Sequence, residues 1–453
     1  MKELIIIGGG LAGSEAAWQA AKRGIPVRLY EMRPVKTTPA HQTADLAEIV
    51  CSNSLGSLLH SRPSGFLIAE MQKMGSLLIQ CALENQIPAG KALAVDRAAF
   101  STAVQERLQN QPNIEIIRKE VKRIPKEPTI VASGPLTSPA LARSLKRLTR
   151  QKNLFFYDAL APIIEADSIN MKIAYWGSRY GKGTKSGGDY INCPFNLMSD
   201  YDHFVKELLA AEKVQLKHFE KDISGGVRGG KGKFFEACLP IEVMAARGIK
   251  TLSFGPLRPV GLRNPYTDCR PQAVVQLRQD NLSATLFNMV GFQTNLTYAE
   301  QKRVFRLIPG LEKVEFVRYG QMHRNTYIYA PDVLQPNLQT RANPDLFMAG
   351  QIAGVEGYLG NIATGMLAGI NAARYLSGAP LLTLPPTSML GALCAYITTP
   401  NPEQFQPMKA NFSLIPPPEE FIKNKEERFL AQTARGLRDL SDYLGEYNEP
   451  QND

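Results

Sequence analysis

The chain has 453 residues, 44% of them apolar, and a formal net charge of +10. That length suits two or three domains around a sizeable core, with the apolar share of an ordinary soluble protein. No apolar run approaches the roughly 18 residues of a membrane span. The N-terminus enters a strand by Leu4, with no room for a signal peptide, so a cytoplasmic location is expected. Six scattered cysteines (51, 81, 193, 238, 269 and 394) show no C-x-x-C or other metal spacing. Structural zinc, a disulfide framework and a disulfide-reductase centre are therefore disfavoured, and no metal is expected.

The first 31 residues read as one phosphate-binding unit. Leu4-Ile5-Ile6-Ile7 is a short apolar run bounded by glycine, as in a buried parallel strand. Gly8-Gly9-Gly10-Leu11-Ala12-Gly13 fits G-x-G-x-x-G. The spacing of Ala16, Ala17 and Ala20 predicts a helix over 14–23 that stops at Gly24, and Val27-Arg28-Leu29-Tyr30 predicts a second strand. Glu31 ends that strand 18 residues past Gly13. The glycines let the backbone approach a pyrophosphate, the helix N-terminus supplies oriented N–H groups, and the carboxylate accepts from ribose hydroxyls. A dinucleotide site is expected, against the alternative of a glycine-rich turn in an ordinary α/β protein.

Next comes Cys51, in Glu48-Ile49-Val50-Cys51-Ser52-Asn53-Ser54. Its small polar neighbours supply dipoles that could stabilise a thiolate; a small buried residue at a turn is the plainer alternative. Ile130-Val131-Ala132-Ser133-Gly134-Pro135 reads as another strand end of the same domain. Basic residues then concentrate in the middle of the chain, around Arg143–Lys152, Lys172–Lys185 and Lys217–Lys233. Aromatics interleave with them in Tyr175-Trp176-Gly177-Ser178-Arg179-Tyr180, which suits a nucleic acid, although solubility alone can account for a basic surface.

Residues 156–324 read as an insertion with β-like alternation, for example in Ala273-Val274-Val275-Gln276-Leu277 and Val314-Glu315-Phe316-Val317. Cys193 has no evident activator. Cys238, in Phe235-Glu236-Ala237-Cys238-Leu239-Pro240, has a carboxylate two residues upstream that could move a proton, or it is a core residue. Gly225 to Gly232 imitates a phosphate loop, but Gly232 replaces the Ser or Thr that would hold magnesium and no apolar strand precedes it. A basic loop able to touch RNA phosphates is the better reading. His323 is the most site-like histidine by its polar neighbours, with a structural role as the alternative.

Asp345-Leu346-Phe347-Met348-Ala349-Gly350 reads as a strand, Gln351 to Gly360 as a glycine-rich loop, and Ile362 to Leu376 as a helix. A late strand–loop–helix of this kind closes over the flavin in two-part flavin folds, so its pairing with the N-terminal unit favours FAD over NAD. Prolines crowd 383–418, which predicts loops and short helices, and Arg428 to Tyr443 reads as a closing helix.

Several of these motifs converge. Ile6 to Ala17, Tyr30-Glu31-Met32-Arg33-Pro34, Val50-Cys51-Ser52-Asn53-Ser54, Phe156-Tyr157-Asp158-Ala159 and Cys238-Leu239-Pro240-Ile241-Glu242 form the first group. Phe254 to Leu262, Val275 to Asn281, Arg318-Tyr319-Gly320, His323-Arg324-Asn325-Thr326 and Gly354-Val355-Glu356-Gly357-Tyr358 form the second. Together they resemble the bacterial folate- and FAD-dependent tRNA (uracil-5-)-methyltransferase family.

The resemblance implies an α/β fold: a Rossmann-like FAD-binding domain of the glucose-inhibited-division-A type, in residues 1–155 and 325–453, with an inserted α+β domain in 156–324. It implies transfer of the methylene of 5,10-methylenetetrahydrofolate to C5 of the T-loop uracil of tRNA. Reduced FAD carries electrons and the one-carbon unit, and NADH or NADPH is the reductant. Only one complete dinucleotide fingerprint is present, so NAD(P)H is expected to bind transiently. Uracil C5 becomes nucleophilic once a thiolate adds to C6, and a second group must remove the C5 proton. Cys51 and Cys238 match the two functional cysteines of the family, one as nucleophile and the other as its proton-handling partner or an alternative nucleophile. The expected cofactor-binding positions are Gly8, Gly9, Gly10, Leu11, Ala12, Gly13, Glu31, Gly350, Gln351, Gly357, Tyr358 and Asn361. Tyr358 matches a tyrosine that stacks on folate over the flavin; His323 and Arg324 match folate or RNA contacts. Two departures stand out. Leu359-Gly360-Asn361 replaces an expected Glu-Ser pattern, and the loop from Asp222 to Lys233 resembles an insertion. The alternatives are an enzyme modifying wobble uridines, usually longer, and a flavin-binding RNA chaperone without catalysis, which retention of both cysteines argues against.

Overall fold

The computed structural model describes residues 2–149, 154–181, 183, 187–214, 239–267, 270–400, 405, 407–447 and 449. The side chains of 154–159 and 322–325 are not described, which leaves out those of His323 and Arg324. Cys238, Cys269 and the basic loop from Asp222 to Lys233 lie outside the described residues.

The N-terminal apolar run forms the centre of a five-stranded parallel sheet. Its strand order is Leu346–Met348, Thr129–Val131, Leu4–Ile7, Val27–Glu31, Ile114–Arg118. Every residue of Leu4–Ile7 is buried, as expected for a parallel strand covered on both faces. The late strand joins the sheet beside Thr129–Val131, with Phe347 opposite Ile130. Two ends of the chain thereby build one sheet, and the expected Rossmann-like α/β fold is what forms.

Two helices cross over this sheet in close contact, Leu11–Lys22 and Tyr358–Leu376. A Cβ on Gly365 would lie 2.2 Å from the Ala12 carbonyl oxygen, and one on Gly369 would lie 2.5 Å from that of Ala16. Only hydrogen at these positions allows the backbones to approach so closely. Both helices begin earlier than expected, at Leu11 rather than Ser14 and at Tyr358 rather than Ile362. The glycine-rich stretches were read as turn and loop, yet Gly13 and Gly360 sit inside first turns where packing leaves no room for a side chain: a Cβ on Gly360 would meet Val355 at 2.6 Å.

Buried carboxylates hold two further helices. Glu15 accepts from Ser76 Oγ at 2.8 Å and from the N–H groups of Leu77 and Leu78, capping Leu77–Glu84. Glu70 accepts from the N–H groups of Met389 (2.6 Å) and Leu390 (3.0 Å), capping Met389–Thr398. Burial pushes both carboxyls up, Glu70 to about 8, against the opposing hydrogen bonds. The closing helix spans Lys425–Glu446, longer than expected because the Asn424 side chain caps it.

The middle of the chain forms a six-stranded antiparallel sheet with a separate apolar core. The chain enters through Leu154–Ala159 and leaves through Met322–Tyr327, and these two strands pair antiparallel. The expected strand near Val314 is shorter and lies at Phe316–Arg318, at the sheet edge. Among the described residues no helix is long and apolar enough to cross a membrane.

Candidate active site

A cleft opens at the carboxyl ends of the parallel strands, where open α/β sheets bind their ligands. Gly8, Gly10, Leu11, Ala12, Glu31, Gly350, Gln351, Tyr358 and Asn361 line it. The opposite wall comes from Ala132 to Ser138, the strand end noted in the sequence. Gly9, Gly13 and Gly357 stand behind this surface. Gly9 N–H donates to Glu31 Oε2 at 3.0 Å, and a Cβ on Gly13 would lie 1.8 Å from the Gly8 carbonyl oxygen.

Helix N-termini from both ends of the chain belong to this site. Leu11–Lys22 and Tyr358–Leu376 have glycine N-caps, no side-chain cap and no acidic residue in the first turn. Their orphan N–H groups and positive dipole ends are left for an anionic ligand. A Cβ on Gly10 would meet nothing within 4 Å, so the turn is open to a phosphate. Asn361 Oδ1 is buried without a hydrogen-bond partner beside the cleft. These features fit a dinucleotide with its pyrophosphate on the glycine turn.

Glu31 is already engaged. Its Oε1 accepts from Arg33 N and Nε, both at 2.9 Å, in addition to the Gly9 contact on Oε2. Burial works to raise its pKa, but the Arg33 hydrogen bond and charge outweigh it and hold the carboxyl below its usual range. Arg33 is fixed in turn by Glu48 at 2.7 Å. The carboxylate is ionised, oriented and retains lone pairs for a ribose.

Cys51 is half-buried and follows Val50, which lines the cleft. Its N–H donates to the Tyr358 hydroxyl at 2.7 Å, which ties the cysteine loop to the cleft. Asn53, fully buried, locks the same loop: its Nδ2 donates to the carbonyls of Val95 (3.2 Å) and Gln279 (2.9 Å). Arg97 donates to the carbonyls of Ile49 (2.7 Å) and Cys51 (2.9 Å) and pairs with Asp280. Arg278 donates to Asn53 Oδ1 at 2.7 Å and Ser52 Oγ at 2.6 Å, and Arg318 to the Cys51 carbonyl at 3.3 Å. Sequence reasoning assigned no role to Arg97, Arg278, Asp280 or Arg318. The nearest signal was that Arg278, Asp280 and Arg318 fall within motifs of the family.

The other described cysteines are core residues. Cys81 and Cys394 are pushed up to about 11 and about 12 by burial, and Cys193, inside the antiparallel sheet, is also pushed up by burial. Trp176 and Tyr180 of the basic aromatic segment are exposed.

The family model described as "Glucose inhibited division protein A" matches residues 3–380. A protein of Dictyoglomus thermophilum named methylenetetrahydrofolate–tRNA-(uracil-5-)-methyltransferase TrmFO is 54% identical over 446 residues, covering 98% of each chain. One of the same name from Bacillus pumilus is 53% identical over 435 residues, covering 96% of this chain and 97% of its own. The solved structure of Aquifex aeolicus GidA (form II crystal) superposes with a TM-score of 0.65 at 16% identity, covering 98% of this chain and 75% of that one. The chain belongs to the glucose inhibited division protein A family and, within it, to the group of these TrmFO relatives.

Proposed function

We propose that the protein methylates C5 of the T-loop uracil of tRNA, taking the carbon from 5,10-methylenetetrahydrofolate, with FAD in the cleft and NADH or NADPH as reductant. The names and near-full-length identity of the relatives support the folate-dependent tRNA methylation. The observation that carries the reading is the hydrogen bond from Cys51 to Tyr358, because it sets a nucleophile-bearing loop against the wall of a dinucleotide cleft.

In this reading Gly8 to Gly13 and the N-terminus of Leu11–Lys22 hold the pyrophosphate, Glu31 orients the ribose, and Gly350, Gln351, Gly357 and Asn361, around the N-terminus of Tyr358–Leu376, face the flavin end. When bound, the flavin supplies the electrons and carries the one-carbon unit. Tyr358 stacks on folate. One of Cys51 and Cys238 adds as thiolate to uracil C6, which places enolate charge on C5; the other moves the C5 proton. Residues 1–155 with 325–453 form the flavin-binding part and 156–324 the tRNA- and folate-facing part, a division supported by the two separate apolar cores.

The test uses the purified protein, unmodified tRNA, NADPH and folate labelled at the methylene carbon. Label at C5 of the T-loop uracil is expected, and it should fall to background in Cys51→Ala and in Cys238→Ala. Bound flavin and tRNA without label would overturn the reading in favour of a non-catalytic RNA binder.

A further inference from the structure

Cys51 stands at the seam between the two bodies, and guanidiniums reach its loop from both of them. Arg278 comes from the strand Ala273–Gln279 of the antiparallel sheet, Arg318 from its edge strand, and Arg97 from the start of the helix Arg97–Gln109. All three contact residues 49–53. The carboxylate that faces them is Asp280, whose two oxygens both lie 3.0 Å from Arg97 Nε. Among the described residues, three cations against one carboxylate leave an excess of positive charge where water is scarce: Arg278 is 8% exposed and Asp280 4%. Arg318 Nε is buried with no hydrogen-bond partner. Buried charge without compensation is costly, and a second negative charge at this point removes much of that cost.

We propose that Arg278 is a positioning residue that holds the Cys51 sulfur as a thiolate at neutral pH, with Arg97 and Arg318 supplying the rest of the positive field. Arg97 and Arg318 donate to the Cys51 carbonyl and Arg278 to the side chains of Ser52 and Asn53, while the Tyr358 hydroxyl accepts from the Cys51 N–H; Asp280 pairs with Arg97, and Tyr190 stands beside Arg278. Burial disfavours the cation of Arg278, and Arg97 adds to this; Tyr190, Asp280 and Cys51 oppose it. The attraction between these cations and Cys51 is reciprocal, so it favours the cations and the thiolate together, while Asp280 offsets part of it. A cysteine beside guanidiniums ionises at about 3.5–7.5 rather than near 8.5. Because Arg278 grips Ser52 and Asn53 from the opposite body, correct docking of the two bodies and ionisation of the thiol become one event.

The proposal rests on the reading of Cys51 as a reacting group. Its test needs neither tRNA nor folate, so the two can fail separately. The flavin-loaded enzyme is alkylated with iodoacetamide at a series of pH values, and modification of the Cys51 peptide is followed by mass spectrometry, with buried Cys193 as internal control. The expected midpoint for the wild type lies below about 7.5. In Arg278→Gln it rises by about one pH unit, so alkylation at pH values well below both midpoints slows about tenfold. Arg278→Lys keeps the charge but not the two-acceptor fork, and recovers at least half of the shift. A wild-type midpoint at or above about 8.5, or equal midpoints in Arg278→Gln and wild type, overturns the proposal. If Arg278→Gln fails to retain flavin, Arg318→Gln is read against the same two outcomes.

Discussion

The two bodies bury their apolar residues by opposite means. Where the helices Leu11–Lys22 and Tyr358–Leu376 meet, the contact is made of alanine and glycine, and backbones nearly touch. In the antiparallel body the core is aromatic: Phe195 stands 5.3 Å from Phe204, Phe204 6.3 Å from Phe292, and Phe292 5.2 Å from Phe305, ring centre to ring centre. The first arrangement brings two helix N-termini to one cleft. The second makes a firm slab whose task at the site is to present Arg278 and Arg318. Small side chains position backbone; large ones position a surface.

This contrast can be broken from either side. Phe292→Ala should cost about 3–5 kcal/mol in denaturant unfolding. Flavin content per folded molecule should stay unchanged, since Phe292 lies in the other core; parallel loss of flavin would show that the two cores unfold as one unit. Gly13→Ala should cost less, in the range of about 1–3 kcal/mol for overpacking. It should nevertheless strip the protein of flavin, because the new Cβ can be accommodated only by moving the Gly8 turn. Flavin absorbance per mole of purified protein checks this, and normal absorbance would contradict it.

A third effect concerns pH. Glu70 has a folded pKa of about 8 against an ordinary 4.5. The folded state therefore holds a proton that the unfolded chain releases. Its stabilising contribution is complete below about 4.5 and is lost as pH rises through about 8, with a slope of at most about 1.4 kcal/mol per pH unit. Glu70→Gln should flatten the stability profile over that window, and an unchanged profile would assign the pH dependence elsewhere.

The phosphate-binding unit was legible because its chemistry is local: strand, glycines, helix and acid follow at fixed spacing from Leu4 to Glu31. The late strand–loop–helix was legible for the same reason, apart from helix starts hidden by Gly13 and Gly360. The cationic seam was not. Arg97 and Arg278 are 181 positions apart, and arginine in a basic chain reads as solvated surface until the fold buries it. Cys51 was singled out by its small polar neighbours, but the side chains that hold its loop, Arg97, Arg278, Arg318 and Tyr358, all come from distant parts of the chain. Glu15 and Glu70 look like surface positions on amphipathic helices and prove to be buried caps, because the helices they hold lie well outside the sequence windows in which caps are sought.

The glycine contacts between the two long helices have one more consequence. Ala12 against Gly365 and Ala16 against Gly369 fix how far the phosphate turn stands from Tyr358. The cleft is thus preorganised: little conformational entropy remains to be lost when a dinucleotide enters, so its affinity is spared an ordering cost that a looser site would incur.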